Sequence, residues 1–122
     1  MKLLKKYNYI NATANTQHGS RTYSVSGMNL PSVTTILAKT KNQEYLNRWR
    51  KKVGHDEAER IFNLSSKRGT AMHKFLENHI KGTGYDDLTE IGIEAKAMAN
   101  KIINEAFTPI TEYYGSEITV HY

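Results

Sequence analysis

Apolar residues recur along this chain in two rhythms. They alternate with polar ones through Tyr7-Asn8-Tyr9-Ile10 and Arg21-Thr22-Tyr23-Ser24-Val25, a pattern that predicts two short strands rich in β-favouring residues. Asn11 to Ser20 is polar and reads as the loop between them. Ser26-Gly27 is a turn signal, so the second strand is expected to hairpin into Met28-Asn29-Leu30. Helical spacing then takes over. Pro31-Ser32 opens a first helix, with Ser32 suited to accept from a free first-turn amide and Val33, Ile36 and Leu37 on one face. Tyr45, Leu46, Trp49 and Val53 predict a second helix from about Gln43 to Val53, stopped by Gly54. A third is expected from Asp56 to Ser66, carrying Ala58, Ile61, Phe62 and Leu64. A fourth runs from Gly69-Thr70 to Ile80, with Met72, Phe75, Leu76, His79 and Ile80 as its stripe. The longest spans Leu88 to Ala106, where Leu88, Ile91, Ala95, Met98, Ile102 and Ala106 repeat every three or four residues. Asp86 and Asp87 precede it, at the positive end of its dipole. After Pro109 the rhythm returns to two, as Ile118, Val120 and Tyr122 alternate with Glu117, Thr119 and His121 in a half-buried strand. The fold expected is α/β: an N-terminal β-hairpin, four to five helices and a C-terminal strand, in a single domain over 1–122 with residues 1–20 partly flexible. A terminal strand with a free edge is an association hazard, so pairing with a second chain or a homo-oligomer is expected.

Charge adds a direction to this picture. The net charge is +5, but residues 1–68 hold thirteen Lys/Arg against four Asp/Glu, and residues 69–122 hold four against eight. The basic half suits phosphate neutralisation, or forms a solvated surface. The absence of cysteine excludes disulfides and thiolate metal sites and fits a reducing cytoplasm. No apolar run approaches the roughly 20 residues that cross a bilayer, and the basic start has no apolar stretch behind it, so neither a membrane span nor a signal peptide is expected.

Two segments could carry chemistry. In Arg68-Gly69-Thr70-Ala71-Met72-His73-Lys74-Phe75-Leu76-Glu77, His73 and Glu77 lie one helical turn apart. His73 falls at the margin of the apolar stripe. There it is either a packed histidine with a solvated partner or a metal ligand through a neutral ring nitrogen. Gly69 would let a backbone or a phosphate approach the helix start. The second segment is the basic run Lys39, Lys41, Arg48, Arg50, Lys51 and Lys52, with Tyr45 and Trp49 among it. Arg48 and Lys52, four apart, suit adjacent phosphates. The aromatics are expected in the core with a phosphate-contacting outer face, the other possibility being an exposed ring that stacks on a base. Glu94-Ala95-Lys96 matches the Glu-x-Lys pattern of nuclease strands, but helical periodicity puts the two side chains about 200° apart, so it is read as a decoy. His18, His55, His79 and His121 are scattered without cysteines, which makes a structural zinc site unexpected.

Arg68-Gly69-Thr70-x-x-His73-x-x-x-Glu77 resembles the first motif of RecB-like nucleases. Upstream, Arg21-x-Tyr23, Gly27, Leu30-Pro31-Ser32-Val33-Thr34-Thr35-Ile36-Leu37, Leu46, Trp49-Arg50 and Glu57-Ala58-Glu59-Arg60-Ile61 occur in matching order and spacing. Over about residues 21–122 the chain is similar to phage-encoded exonucleases of the PD-(D/E)XK superfamily and to the related mitochondrial genome maintenance exonuclease. The resemblance implies that His73 is a metal ligand at the catalytic site and Glu77 its motif partner. It also implies that Arg68 and the Ser32, Thr34 and Thr35 hydroxyls lie near the DNA path. In that family a water activated by Mg²⁺ or Mn²⁺ attacks the scissile phosphate, and a lysine helps to position it. The further ligands come from an aspartate after a Gly-x-x-Asp-like turn and from an Asp/Glu-x-Lys strand, both of which follow the strand expected at 118–122.

The resemblance therefore implies the N-terminal half of a nuclease domain, an incomplete PD-(D/E)XK core. As an enzyme it would hydrolyse DNA at single-stranded ends, with a second polypeptide completing the site. The expected setting is the cytoplasm of a phage-infected bacterium. The alternative is a non-catalytic DNA-binding remnant or a regulatory decoy of an intact nuclease. A third reading is a small helical interaction protein with no DNA affinity.

Overall fold

The computed structural model describes residues 1–17 and 20–121. The chain is mixed α/β, with helices α1 (Val33–Thr40), α2 (Glu44–Val53), α3 (His55–Lys81) and α4 (Glu90–Ile102) and two small sheets. The strands are β1 (Lys2–Leu3), β2 (Thr13–Gln17), β3 (Ser20–Val25), β4 (Met28–Pro31) and β5 (Glu112–Tyr113). These fall into two compact units, one made of Met1–Tyr7 and Val53–Glu117, the other of Asn8–Lys52 with the residues from Ile118 on.

The second unit is built on the antiparallel sheet β2-β3-β4. The expected hairpin forms, with Val25 opposite Met28 and Tyr23 opposite Leu30. Ser26 and Gly27 both adopt positive φ (50° and 80°), the two-residue turn whose twist matches that of antiparallel strands. The expected loop over Asn11 to Ser20 is corrected. Thr13–Gln17 pairs with β3 from Thr13↔Ser24 to Gln17↔Ser20, and His18 lies outside the described residues. All five β2 residues are exposed, so this edge strand has no buried face to print an alternation in the sequence, and backbone hydrogen bonds hold it. Tyr7 to Ile10, expected as a strand, has none. Tyr7 instead meets the Tyr114 ring edge-on at 5.5 Å, with the Lys6 ammonium over both rings.

α1 starts where expected. The Ser32 hydroxyl accepts from the Thr35 amide at 3.1 Å and shares hydrogen bonds with the Thr34 and Thr35 hydroxyls. α2 begins at Glu44, whose amide donates to the Asn42 side chain at 2.9 Å. It ends on Arg50, Lys51 and Lys52, cations placed at the negative end of its dipole.

The first unit centres on α3 and α4. The two helices expected at Asp56–Ser66 and Gly69–Ile80 are one continuous helix of 27 residues. A mid-helix glycine costs about 1 kcal/mol against alanine, too little to break a helix otherwise satisfied on both sides of Gly69. α3 stops at Gly82, in the left-handed conformation at φ 70°, where the Gly82 amide donates to the His79 carbonyl and the Thr83 amide to the Asn78 carbonyl. Ala71 and Phe75 of α3 pack with Ala95 and Ala99 of α4, and Met72, Leu76 and Tyr85 flank them. Arg68 meets Glu94 and His79 meets Phe107, so contacts advance in the same sense along both helices and the segment 82–89 climbs back beside α3. Thr89 caps α4, and regular α-helix gives way to a π-helical turn over Ile103–Phe107. The helix expected from Leu88 to Ala106 as the longest is corrected: α4 has 13 residues, and it buries Gly92, Ala95 and Ala99, whereas Leu88 and Met98 of the expected stripe are exposed.

The parallel pairing of β1 with β5, Lys2↔Glu112 and Leu3↔Tyr113, has no counterpart in the sequence reading. The strand expected from Ile118 is also corrected: residues 118–121 form none, and Tyr122 lies outside the described residues. Alternation describes a strand's two faces, but a ladder needs a neighbour, and none pairs here among the described residues. The expectation of a partner chain therefore loses the free strand edge on which it rested.

Candidate nucleic-acid interface

α3 presents the whole Arg68–Glu77 segment on one rigid element. His73 is exposed, and its Nδ1 lies 3.4 Å from Oε1 of Glu117. Glu117 sits at φ 52°, a conformation rare for a residue with a side chain. Glu77 does not serve His73 but forms an ion pair with Lys81, one turn further on. Arg68 Nη1 is 2.9 Å from Glu94 Oε2 across the α3–α4 contact. A Cβ added at Gly69 would meet nothing within 4 Å, so no backbone uses the close approach that glycine permits.

Among the described residues no three His, Asp or Glu side chains gather as a cation would require. His73 and Glu117 make two donors, whereas hard divalent cations take about six oxygens. The residues present do not by themselves fit a Mg²⁺ or Mn²⁺ centre. The alternation after Pro109 predicts Glu117 on the outer face of a strand, and the fold gives it none. Gly115-Ser116 before it, both turn formers, were the available signal that the chain bends there.

The decoy reading of Glu94 and Lys96 agrees with the geometry. Both lie on α4, where Glu94 faces Arg68 and Lys96 lies 3.5 Å from Asp86. His55 is 3.6 Å from Glu59, and His79 stacks loosely on Phe107. The Thr34 and Thr35 hydroxyls, expected with that of Ser32 near a DNA path, each share a hydrogen bond with the Ser32 hydroxyl, which also accepts from the Thr35 amide.

Charge separates the two units. Asn8–Lys52 holds seven Lys/Arg against one Asp/Glu, and the residues from Ile118 on add none of either, so this unit carries +6. The other unit holds ten against eleven, net −1. In that unit Arg60, Arg68, Lys81 and Lys96 each have a carboxylate partner. The Arg60 guanidinium in turn holds the Glu57 carboxyl below its usual range. On α2, by contrast, Arg48, Arg50, Lys51 and Lys52 are all exposed, and no ion pair engages them among the described residues. One expectation is corrected here: Trp49 is half-buried, but Tyr45 is 77% exposed and is not a core aromatic. Trp49 and Val53 are the half-buried positions of α2, and Leu46 and Tyr45 are both exposed.

Compared with family models, curated proteins and solved structures, the chain matches none. No helix among the described residues is long and apolar enough to cross a membrane.

Proposed function

We propose that this chain is the N-terminal, DNA-gripping part of a metal-dependent DNA exonuclease of the RecB-like type, acting at single-stranded ends. The observation that carries the proposal is the uncompensated charge of α2: four exposed cations without carboxylate partners, in a unit of net +6. Phosphate neutralisation is the chemistry such a surface performs. The ordered motifs from Arg21 to Glu77 supply the nuclease part of the reading, with His73 as the ligand this chain contributes. The catalytic Asp and the Asp/Glu-x-Lys pair come from polypeptide outside residues 1–122. Mg²⁺ or Mn²⁺ belongs to that completed site.

A second reading is a non-catalytic DNA-binding remnant or a decoy of an intact nuclease. It is favoured by the small donor set, in which Glu117 joins His73 and no third His, Asp or Glu does so among the described residues. The deciding experiment is hydrolysis of end-labelled single-stranded DNA with Mn²⁺, using this chain together with the product of the adjacent downstream reading frame. Cutting that requires both polypeptides and disappears with His73→Ala supports the nuclease. DNA binding without cutting in any combination supports the remnant.

A further inference from the structure

We infer that α2 carries a single-strand-selective stripe, on which the Tyr45 ring stacks on a nucleobase while Arg48 and Lys52 hold the phosphates beside it. The inference rests on the nucleic-acid reading above and adds the residues that grip the single strand and the role of each. On a helical projection Lys52 lies about 20° from Tyr45 and Arg48 about 60°, so the three share one outward strip. The half-buried positions of the helix, Trp49 and Val53, lie about 40° and 80° from Tyr45 on its other side. Arg50 and Lys51 fall about 140° and 120° from Tyr45, off the strip on either side.

Tyr45 is the most exposed aromatic among the described residues at 77%. The other exposed rings differ in setting: Tyr7 and Tyr114 contact each other, and Phe62, 67% exposed, stands among the acids and bases of α3. Tyr45 stands among unpaired cations only, apart from Glu44 at the helix start. A rigid ring costs little entropy to immobilise, and water gives up its apolar face readily. A base inside a duplex already has both faces covered, so an open ring beside cations selects a strand whose bases can splay.

The test uses the full chain and fluorescence anisotropy with three labelled probes: an oligothymidylate, the same length of duplex, and an abasic strand of equal phosphate number. Trp49, the single tryptophan and one turn from Tyr45, gives a second signal from α2 itself. Tyr45→Ala is expected to weaken oligothymidylate binding about 5- to 150-fold, the range of one lost stacked base. Tyr45→Phe should bind within about twofold of the parent, because stacking needs the ring and not the hydroxyl. On the abasic strand Tyr45→Ala and the parent should be equal. Arg48→Ala and Lys52→Ala should each weaken binding more than Arg50→Ala and Lys51→Ala, although all four remove one charge. If the parent binds with salt dependence but Tyr45→Ala binds the oligothymidylate equally well, or loses the same factor on the abasic strand, the stacking stripe is wrong and the DNA-binding reading stands. If the parent binds none of the three probes, both fall.

Discussion

Asp87 and Gly92 show how much one side chain can decide. Asp87 Oδ1 accepts from the Thr89 amide at 3.0 Å and from the Thr89 hydroxyl at 2.6 Å, and the Thr89 oxygen accepts from the Gly92 amide at 3.1 Å. The Thr89 bonds hold the Asp87 carboxyl below its ordinary range. A carboxyl with a depressed folded-state pKa contributes stability fully above the ordinary aspartate value of about 3.9, and loses it as pH falls through the lower folded value. Unfolding by urea should therefore become easier on acidification below about pH 4, and Asp87→Asn should flatten that part of the profile. Gly92 completes the turn because a Cβ there would lie 2.2 Å from the Asp87 Cγ and 2.4 Å from its carbonyl oxygen. Gly92→Ala is expected to cost about 1–3 kcal/mol, read from the urea midpoint at constant m.

At the scale of elements, the contrast between α1 and α3 is instructive. α1 is legible because its signal is local. Ser32 is its N-cap, and the hydroxyl that satisfies the Thr35 amide can be named from the sequence. The sequence predicts two helices, Asp56–Ser66 and Gly69–Ile80, where the fold has one, since a helix responds to the sum over many residues and to the face it buries. Ala71 and Phe75 share a face against Ala95 and Ala99, and Ala58 is buried nearer the helix start, so buried residues hold the helix on both sides of the expected break. Since a Cβ at Gly69 meets nothing within 4 Å, Gly69→Ala should stabilise the chain by about 0.5–1 kcal/mol. The same variant checks function. A fall in DNA affinity at unchanged or raised stability would mean that a phosphate uses the open approach at Gly69.

For the whole molecule, the main feature is the segregation of charge, +6 in one unit and −1 in the other. The sequence split at residue 68 already showed an imbalance, but it counted Arg60 and Arg68 with the basic half. In the fold both have carboxylate partners, which leaves α2 as the concentration of free cations. Exposed ion pairs add little stability, about 0–1 kcal/mol each, so this division matters for binding more than for folding. The expected consequence is a linear fall of log K for single-stranded DNA with log salt. The slope should flatten by about 0.7 for each α2 cation that meets a phosphate and is replaced by alanine. Arg60→Ala should leave the slope unchanged, and a change equal to that of Arg48→Ala would assign the charge wrongly.

What the sequence determined by itself was local: the Ser26-Gly27 turn, the Ser32 cap and the stop at Gly54. Each depends on backbone propensity, a nearby hydrogen bond or a spacing of three or four residues, and all of these are written within one short window. The tertiary structure decided what lies far apart in sequence. It paired Lys2–Leu3 with Glu112–Tyr113, brought Glu117 to His73 across 44 residues, and left Ile118 to His121 without a ladder among the described residues. Alternation at 118–122 was real as a pattern, but a strand exists only where another edge accepts its hydrogen bonds. Tyr45 follows the same rule from the other side: its spacing matches a core position, but in the fold no element covers it among the described residues, and it is 77% exposed.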